Sequence, residues 1–468
     1  MADTIYDVAI IGSGPAGYTA AFRAGQLGLK AVMIEKHEKL GGTCLNVGCI
    51  PTKSLLFNAE VWDHVQEGIE LGMENTAAVK LNWDAIQKRK QGVVDKHIKG
   101  LNFLARKNKV DLVHGCAKLT GPAQNGIHTV AVEGGKDVKA KAVLLASGST
   151  ARMLPGLKPD SQILTNIEVL ALGAIPKSLI VIGSGAVGVE FASIYKSFGA
   201  DVTILEMLPR YVPVEDEDVS KELMRVYRKR GINGFVNAKV EKVETKKNSV
   251  AVTFTVDGKA QTIEAEKVLV AVGRAPVTDG IGIEKTKIQV ERGFVKVDEY
   301  MRTAEPGIYA AGDIVAGFPQ LAHAGFAEGI VAVTHLAGKP TKKLNPLRIP
   351  NATYCHPEIG SVGLTEAKAK EAGYNVKVGK FPFTANSRAS IVGQHEGFVK
   401  IVSDAKYGEI LGVHIIGANA TELIAESVVA LELECTAEEL ANIVHAHPTL
   451  SEAVLDAANS VFGMAINA

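Results

Sequence analysis

Apolar residues crowd the stretch Tyr6-Asp7-Val8-Ala9-Ile10-Ile11, which reads as a buried parallel strand. They recur at helical spacing over Tyr18, Ala21, Phe22 and Leu27, and between the two patterns stands the turn Gly12-Ser13-Gly14-Pro15-Ala16-Gly17. The same phrase returns downstream. Leu179-Ile180-Val181-Ile182 leads into Gly183-Ser184-Gly185-Ala186-Val187-Gly188, and Val187, Phe191, Ile194 and Phe198 then follow helical spacing. Each unit continues into a second strand that ends in an acid: Glu35 after Val32-Met33-Ile34, and Glu206 after Val202-Thr203-Ile204-Leu205. The two acids lie equally far along the chain from Gly12 and Gly183, the first glycines of their units.

Each glycine answers a physical need. The first, Gly12 or Gly183, permits the tight turn from strand to helix. The second, Gly14 or Gly185, lets the backbone approach a pyrophosphate, and the third, Gly17 or Gly188, lets the helix pack on the strand. The helix N-terminus supplies N–H donors and the positive end of its dipole. An acid about 20 residues on can accept bonds from ribose hydroxyls. One such turn is weak evidence, but two with strand, helix and acid in the same order predict two dinucleotide sites. Val143 to Gly148 and Val268 to Gly273 form a further matching pair, each closing one unit, although two buried strands ending at glycine would look the same.

The expected fold is α/β, with two Rossmann-like domains, the second inserted in the first, and a C-terminal α+β domain. The boundaries are 1–148 for the first part of the first domain, 149–273 for the inserted domain, 274–345 for the second part of the first, and 346–468 for the last. Within 274–345, Ile308-Tyr309-Ala310-Ala311-Gly312-Asp313 reads as a buried strand ending in an acid, which places Asp313 where open α/β sheets bind ligands. The last region shows β-rich segments at 397–402 and 410–416, then amphipathic helices near 420–433 and 451–462. Glu422, Glu426 and Glu432 interrupt the first of these helices, so it reads as a core or subunit-contact element and not as a membrane anchor.

Charge narrows the choice of partners. Lys plus Arg and Asp plus Glu each number 51 in 468 residues, which leaves no net charge to gather nucleic acid or an anionic membrane. No apolar run approaches the roughly 18 to 20 residues that span a bilayer. Met1-Ala2-Asp3-Thr4 leads into the first strand without a leader-like segment, so the expected location is the cytoplasm, or an organelle matrix for a mature imported form. Five cysteines in such a chain do not make a disulfide scaffold. In a reducing compartment the closely spaced Cys44 and Cys49 suggest catalysis or metal binding.

Those cysteines lie in Gly41-Gly42-Thr43-Cys44-Leu45-Asn46-Val47-Gly48-Cys49-Ile50-Pro51-Thr52-Lys53. Proline is tolerated in a helix's first turn, so Pro51 places Cys49 near a helix N-terminus, where the dipole stabilises a thiolate. Lys53 lies one helical turn on and faces the same way. Half a metal site or two buried small residues would be the plainer readings. Zinc would need two more ligands at recognisable spacing, and neither Cys116, Cys355 nor Cys435 belongs to such a pair, so no metal is expected.

Taken together, the two glycine motifs, the Cys-x4-Cys pair and the strand ending in Gly-Asp resemble the pyridine nucleotide-disulfide oxidoreductases, along essentially the whole chain. The resemblance implies a redox disulfide between Cys44 and Cys49. It implies FAD on Gly12, Gly14, Gly17, Glu35, Lys53, Gly148 and Asp313, and NAD on Gly183, Gly185, Gly188, Glu190, Glu206 and Gly273. It also implies that Lys53 pairs with Glu190, and that the third domain makes a homodimer. Within the family, Gly42 to Pro51 and His445-Ala446-His447-Pro448-Thr449-Leu450-Ser451-Glu452 look most like members that oxidise a protein-bound dihydrolipoyl dithiol as peripheral subunits of 2-oxo acid dehydrogenase or glycine cleavage complexes. Thr52 stands where many relatives have serine.

The resemblance makes His447, not His445, the base that takes a proton from the incoming dithiol, with Glu452 orienting it; an unperturbed imidazole pKa of about 6.5 suits that task. Thr449-Leu450-Ser451-Glu452 is also a capping box, so Glu452 could instead belong to the last helix. Residues 460–468 hold no cysteine, unlike the tails of mercuric reductases and large thioredoxin reductases. Glu206 would repel the extra phosphate of NADP, which argues against a glutathione-reducing enzyme, although Arg210 lies nearby. Another disulfide reductase or a transhydrogenase on this scaffold, or a chiefly structural subunit, are the alternatives.

Overall fold

The first apolar run becomes strand β1 (Ile5–Ile11), whose last four residues are buried. A strand with neighbours at both edges and layers on both faces has no wet side, which is why its sequence does not alternate. The computed structural model describes residues 4–467, so the reading of the chain's start falls partly, at Met1 to Asp3, outside the described residues, as does Ala468. These residues gather into two units, one of residues 4–54, 84–152 and 274–346, the other of 55–83, 153–273 and 347–467.

In the first unit, β1 turns into helix α1 (Pro15–Gln26), and β2 (Ala31–Glu35) returns parallel to β1 with Ile10 beside Met33. Helix α2 (Gly42–Val47) and helix α3 (Cys49–Gln66) follow, separated only by Gly48. The sheet is completed by β3 (Asp111–His114), β4 (Ala117–Leu119), β5 (His128–Val132) and β6 (Val138–Leu145), in the order β3-β2-β1-β6-β5-β4.

The second unit repeats the motif. Strand β7 (Ser178–Ile182) leads to helix α4 (Ala186–Ser197) and to β8 (Asp201–Leu205), with β9 (Lys267–Val270) parallel on the other edge of β7. Asn233–Phe235 and Ile163–Leu164 extend this sheet at its two ends.

The chain then re-enters the first unit. Strand β10 (Ile308–Ala310) lies parallel to the second half of β6, with Ala310 beside Leu145, while the first half of β6 pairs antiparallel with β5. Successive side chains of a strand point to opposite faces. Thus Val8, Ile10, Met33 and Leu144 pack with Ala20, Ala21 and Ala24 of α1, and Ala9, Ile11, Val32, Ile34, Val143 and Leu145 build the core on the other side. Helix α5 (Ala322–Leu336) contributes Val331, Ala332 and Val333 to the α1 side.

The C-terminal part of the second unit is an antiparallel five-stranded sheet, in the order 351–353, 358–363, 410–417, 398–404 and 376–382. Helices α6 (Ala420–Glu432) and α7 (Glu452–Ser460) share its apolar core with Val399, Ile401, Val413 and Ile415. No described helix is long and apolar enough to cross a membrane.

Candidate active site

Two glycine turns of one design stand at the starts of α1 and α4. Gly12 and Gly183 have φ of +106° and +100°, a region L side chains rarely enter, and an added Cβ would lie 2.3 Å from the Ala146 carbonyl oxygen and 2.4 Å from that of Ala271. At Gly17 and Gly188 a Cβ would fall 1.9 and 2.0 Å from the carbonyl oxygens of Gly12 and Gly183, so the strand-to-helix turn closes only over a bare Cα. Gly14 and Gly185 are the N-caps, and neither helix receives a side-chain cap. Elsewhere Thr165, Asp216 and Thr365 cap their helices from the side chain. The first-turn N–H groups of α1 and α4 are thereby left to an anion such as a pyrophosphate.

The acids at the ends of the second strands are held alike. Glu35 Oε2 accepts the Ser13 N–H at 2.9 Å and its hydroxyl at 2.7 Å, while Oε1 accepts the His37 N–H at 2.9 Å. Glu206 Oε2 accepts the Ser184 N–H and hydroxyl, both at 2.7 Å, and Oε1 accepts the Leu208 N–H at 2.8 Å. Each carboxylate oxygen can take two donors, so each acid keeps acceptor capacity for a ribose hydroxyl. The serines were passed over in the sequence, although their recurrence between paired glycines was a usable signal.

Cys44 in α2 and Cys49, the first residue of α3, form a disulfide with Cα atoms 4.7 Å apart. The loop that carries them is tied to the first glycine turn. The Gly41 N–H donates to the Ser13 carbonyl at 2.9 Å, and a Cβ at Gly42 would lie 2.7 Å from the Cα of Gly14. Asn46 Nδ2 donates to the carbonyls of Leu40 and Gly42, fixing α2 from its own side. Pro51 falls in the first turn of α3 as its sequence suggested, the Thr52 hydroxyl donates to the Gly48 carbonyl at 2.7 Å, and Lys53 follows, half-buried. Cys116, Cys355 and Cys435 are free thiols.

Asp313 lies beyond the end of β10 and not on it. Pairing ends after the Ala311 N–H donates to the Leu145 carbonyl, and Gly312 at φ +82° turns the chain away. The Asp313 carboxylate takes the Ser149 hydroxyl, and Arg274 Nε stands 3.7 Å from it while donating to Ser149 Oγ at 2.6 Å. Ser149 and Arg274 sit just after Gly148 and Gly273, which have φ of +74° and +102° and open space where a Cβ would be. Neither polar residue was anticipated from the sequence.

In the second unit, Glu190 on α4 is buried and its Oε1 accepts the Tyr354 N–H at 2.9 Å. His447 Nδ1 is 2.9 Å from Glu452 Oε1, while Glu452 Oε2 accepts the Thr449 N–H at 2.8 Å. The carboxylate thus holds the ring as expected, but the capping box does not form. Helix α7 begins at Glu452 itself, its N-cap is Ser451 without a side-chain cap, and the Thr449 hydroxyl turns to the Ala446 carbonyl and Ser451 Oγ. Against the cost of partial burial, the Thr449 N–H and the His447 ring hold Glu452 below the usual carboxylate range. The His447 side chain is 70% exposed. His445 is committed at both nitrogens, to the Ile443 carbonyl and to Glu426 Oε1.

Residues 6–329 match the model of the pyridine nucleotide-disulphide oxidoreductases, and residues 349–458 match the dimerisation domain of that family. The chain belongs to this family. As a family member it uses FAD and NAD, and the paired glycine turns with their acids fit two such nucleotides. The chain is similar to the dihydrolipoyl dehydrogenase of Bacillus subtilis, 44% identical over 474 residues covering 99% of both chains. It is similar to that of Mycobacterium tuberculosis at 42% identity, covering 99% of this chain and all of the relative. Its fold is similar to the crystal structure of LpdA from Mycobacterium tuberculosis, with a TM-score of 0.89 and 29% identity, covering 97% of this chain and 98% of that one. It is also similar to the HOCl-induced flavoprotein disulfide reductase RclA from Escherichia coli, with a TM-score of 0.84 and 27% identity, covering 96% and 99%.

Proposed function

We propose that this chain oxidises a dihydrolipoyl dithiol on a partner protein and passes the two electrons to NAD+, serving as a peripheral subunit of a 2-oxo acid dehydrogenase or glycine cleavage assembly. The observation that carries the reading is the Cys44–Cys49 disulfide at the start of α3, fastened to the first glycine turn. In this reading residues 1–148 and 274–345 bind FAD, 149–273 bind NAD, and 346–468 join two copies into a dimer. The cytoplasm, or an organelle matrix, suits such a chain.

One substrate thiol gives its proton to His447, and the resulting thiolate attacks Cys44 Sγ. That attack forms a mixed disulfide and releases Cys49 as a thiolate, which the N-terminus of α3 stabilises. The second substrate thiol, once deprotonated, attacks the substrate sulfur of the mixed disulfide, so that the cyclic disulfide leaves and both cysteines are reduced. Glu452 orients the imidazole and stabilises its protonated form through Oε1. When bound, FAD supplies acceptance of two electrons from the dithiol and their delivery to NAD+ as a hydride. Glu35 and Asp313 would hold that group with the Gly12 to Gly17 turn, Lys53 and Gly148. Glu206 would hold the adenosine ribose of NAD, and Gly183, Gly185, Gly188, Glu190 and Gly273 would join it in that site.

The test compares NADH formation from dihydrolipoamide with NADPH consumption on glutathione disulfide. Rapid turnover in the first assay and about background in the second is expected. The reverse result removes the proposal.

A further inference from the structure

Glu328, in the middle of α5, is 1% exposed, and nothing in the chemistry above uses it. Its Oε2 accepts the N–H of Gly312 at 2.5 Å, the residue whose positive φ turns the chain off β10 toward Asp313. Its Oε1 is buried with no hydrogen-bond partner among the described residues. The helix on either side is bare where it meets α1. Cβ atoms added at Gly325 and Gly329 would lie 3.2 Å from the Cβ of Ala16 and 2.6 Å from its carbonyl oxygen, and Ala16 is in the first turn of the nucleotide-binding helix. A single carboxyl group thus braces the Gly312–Asp313 turn from below, in an apolar layer that offers no second donor.

We propose that Glu328 is a positioning residue of the flavin site: it pins the Gly312–Asp313 turn against α5, and its ionisation loosens that turn. The proposal rests on FAD being held by the first glycine unit and not on the identity of the dithiol substrate. A buried carboxylate with one N–H donor and one bare oxygen is a poorly compensated charge, and the neutral acid suits the site better. Burial pushes the Glu328 carboxyl up to about 7, the Gly312 N–H opposes the shift, and the Asp313 charge adds to it. Asp313 is the charged group facing Glu328 from the β10 side, and Arg274 stands beyond it. From the α1 side, Ala16 and Ala20 lie against Gly325 and Gly329, and the titratable phenol there is Tyr18, whose ring packs on Phe326 of α5.

The sign follows from linkage. The folded-state carboxyl is raised above its value of 4.5 in an exposed chain, so its stabilising contribution is complete in acid and is lost as pH rises toward about 7. Opening of the turn, and release of flavin through it, should therefore become easier across that range and level off above it. Between about pH 6 and pH 8 the linkage relation gives a rise of about tenfold in the opening constant.

The experiment follows the rate at which holoprotein releases FAD, read as the gain in flavin fluorescence after dilution, across about pH 5.5 to 8.5. The unmodified protein should release FAD more than about tenfold faster at the alkaline end. Glu328→Gln keeps an acceptor for the Gly312 N–H and removes the titration, so its profile should be nearly flat. Glu328→Ala leaves that N–H unpaired and should release FAD about tenfold faster at every pH. If the glutamine variant shows the same pH dependence as the unmodified protein, the assignment fails. If the alanine variant does not fold, the glutamine comparison decides alone. Because the readout is flavin release, the result is independent of whether the enzyme accepts dihydrolipoamide.

Discussion

Glu452 spends its two oxygens on two partners, the His447 ring and the Thr449 N–H three residues before α7, without completing a capping box. The sequence offered ring orientation and a capping box as alternatives because spacing shows that a carboxylate can reach either partner, and not at which residue the helix will begin. Glu35 and Glu206 teach the same lesson from the other side. Their offsets were plain, yet the serines that hold them became visible only when the turn folded back toward the strand end. For the cysteines, Pro51 pointed to a helix start near Cys49, which opens α3, while the short α2 that holds Cys44 emerges only in the structure. Both serine variants should be inactive, but Cys44→Ser should leave a Cys49 thiolate and show a long-wavelength absorption band with oxidised FAD. Cys49→Ser should lack the band. A band in the opposite variant would reverse the assigned roles.

At the scale of elements, the strand-turn-helix units were legible because their rules are local. A buried parallel strand needs a continuous apolar run, and the close approach of helix to strand needs a missing Cβ. The second unit separates the two kinds of glycine. A Cβ at Gly188 would lie 2.0 Å from the Gly183 carbonyl oxygen, whereas one at Gly185 meets nothing within 4 Å. Gly188→Ala should therefore cost about 1 to 3 kcal/mol of stability, seen as a lower melting temperature, because α4 must lift from β7. Gly185→Ala should melt like the unmodified protein while raising the KM for NAD, since its methyl group occupies the approach to the pyrophosphate. Equal melting temperatures for both variants would contradict this division. What the pattern misjudged was the end of β10. Its apolar residues suggested a strand as far as Asp313, but the strand ends at Ala310 because Gly312 turns the chain and gives its N–H to Glu328 instead of to the sheet.

For the molecule as a whole, the cysteine pair belongs to one unit and His447 to the other. The match to a dimerisation domain at 349–458 leads to the expectation that each site takes His447 from the second copy of a homodimer. Cys44→Ser and His447→Ala should each be nearly inactive as homodimers. Co-expressed and purified as a heterodimer, they should regain up to about half the normal activity, since one of two sites is then complete. A heterodimer as inactive as its parents would place the whole site within one chain. By itself the sequence determined the two nucleotide units, the cysteine pair and the acids at fixed offsets, because turn geometry, strand burial and helix dipoles act between residues close along the chain. Tertiary structure alone decided the partners of those groups: Ser149 and Arg274 about Asp313, the Gly312 N–H for Glu328, and the Tyr354 N–H for Glu190. Such pairings join residues far apart in sequence, and a hydrogen bond depends on distance and angle, which no spacing along the chain encodes.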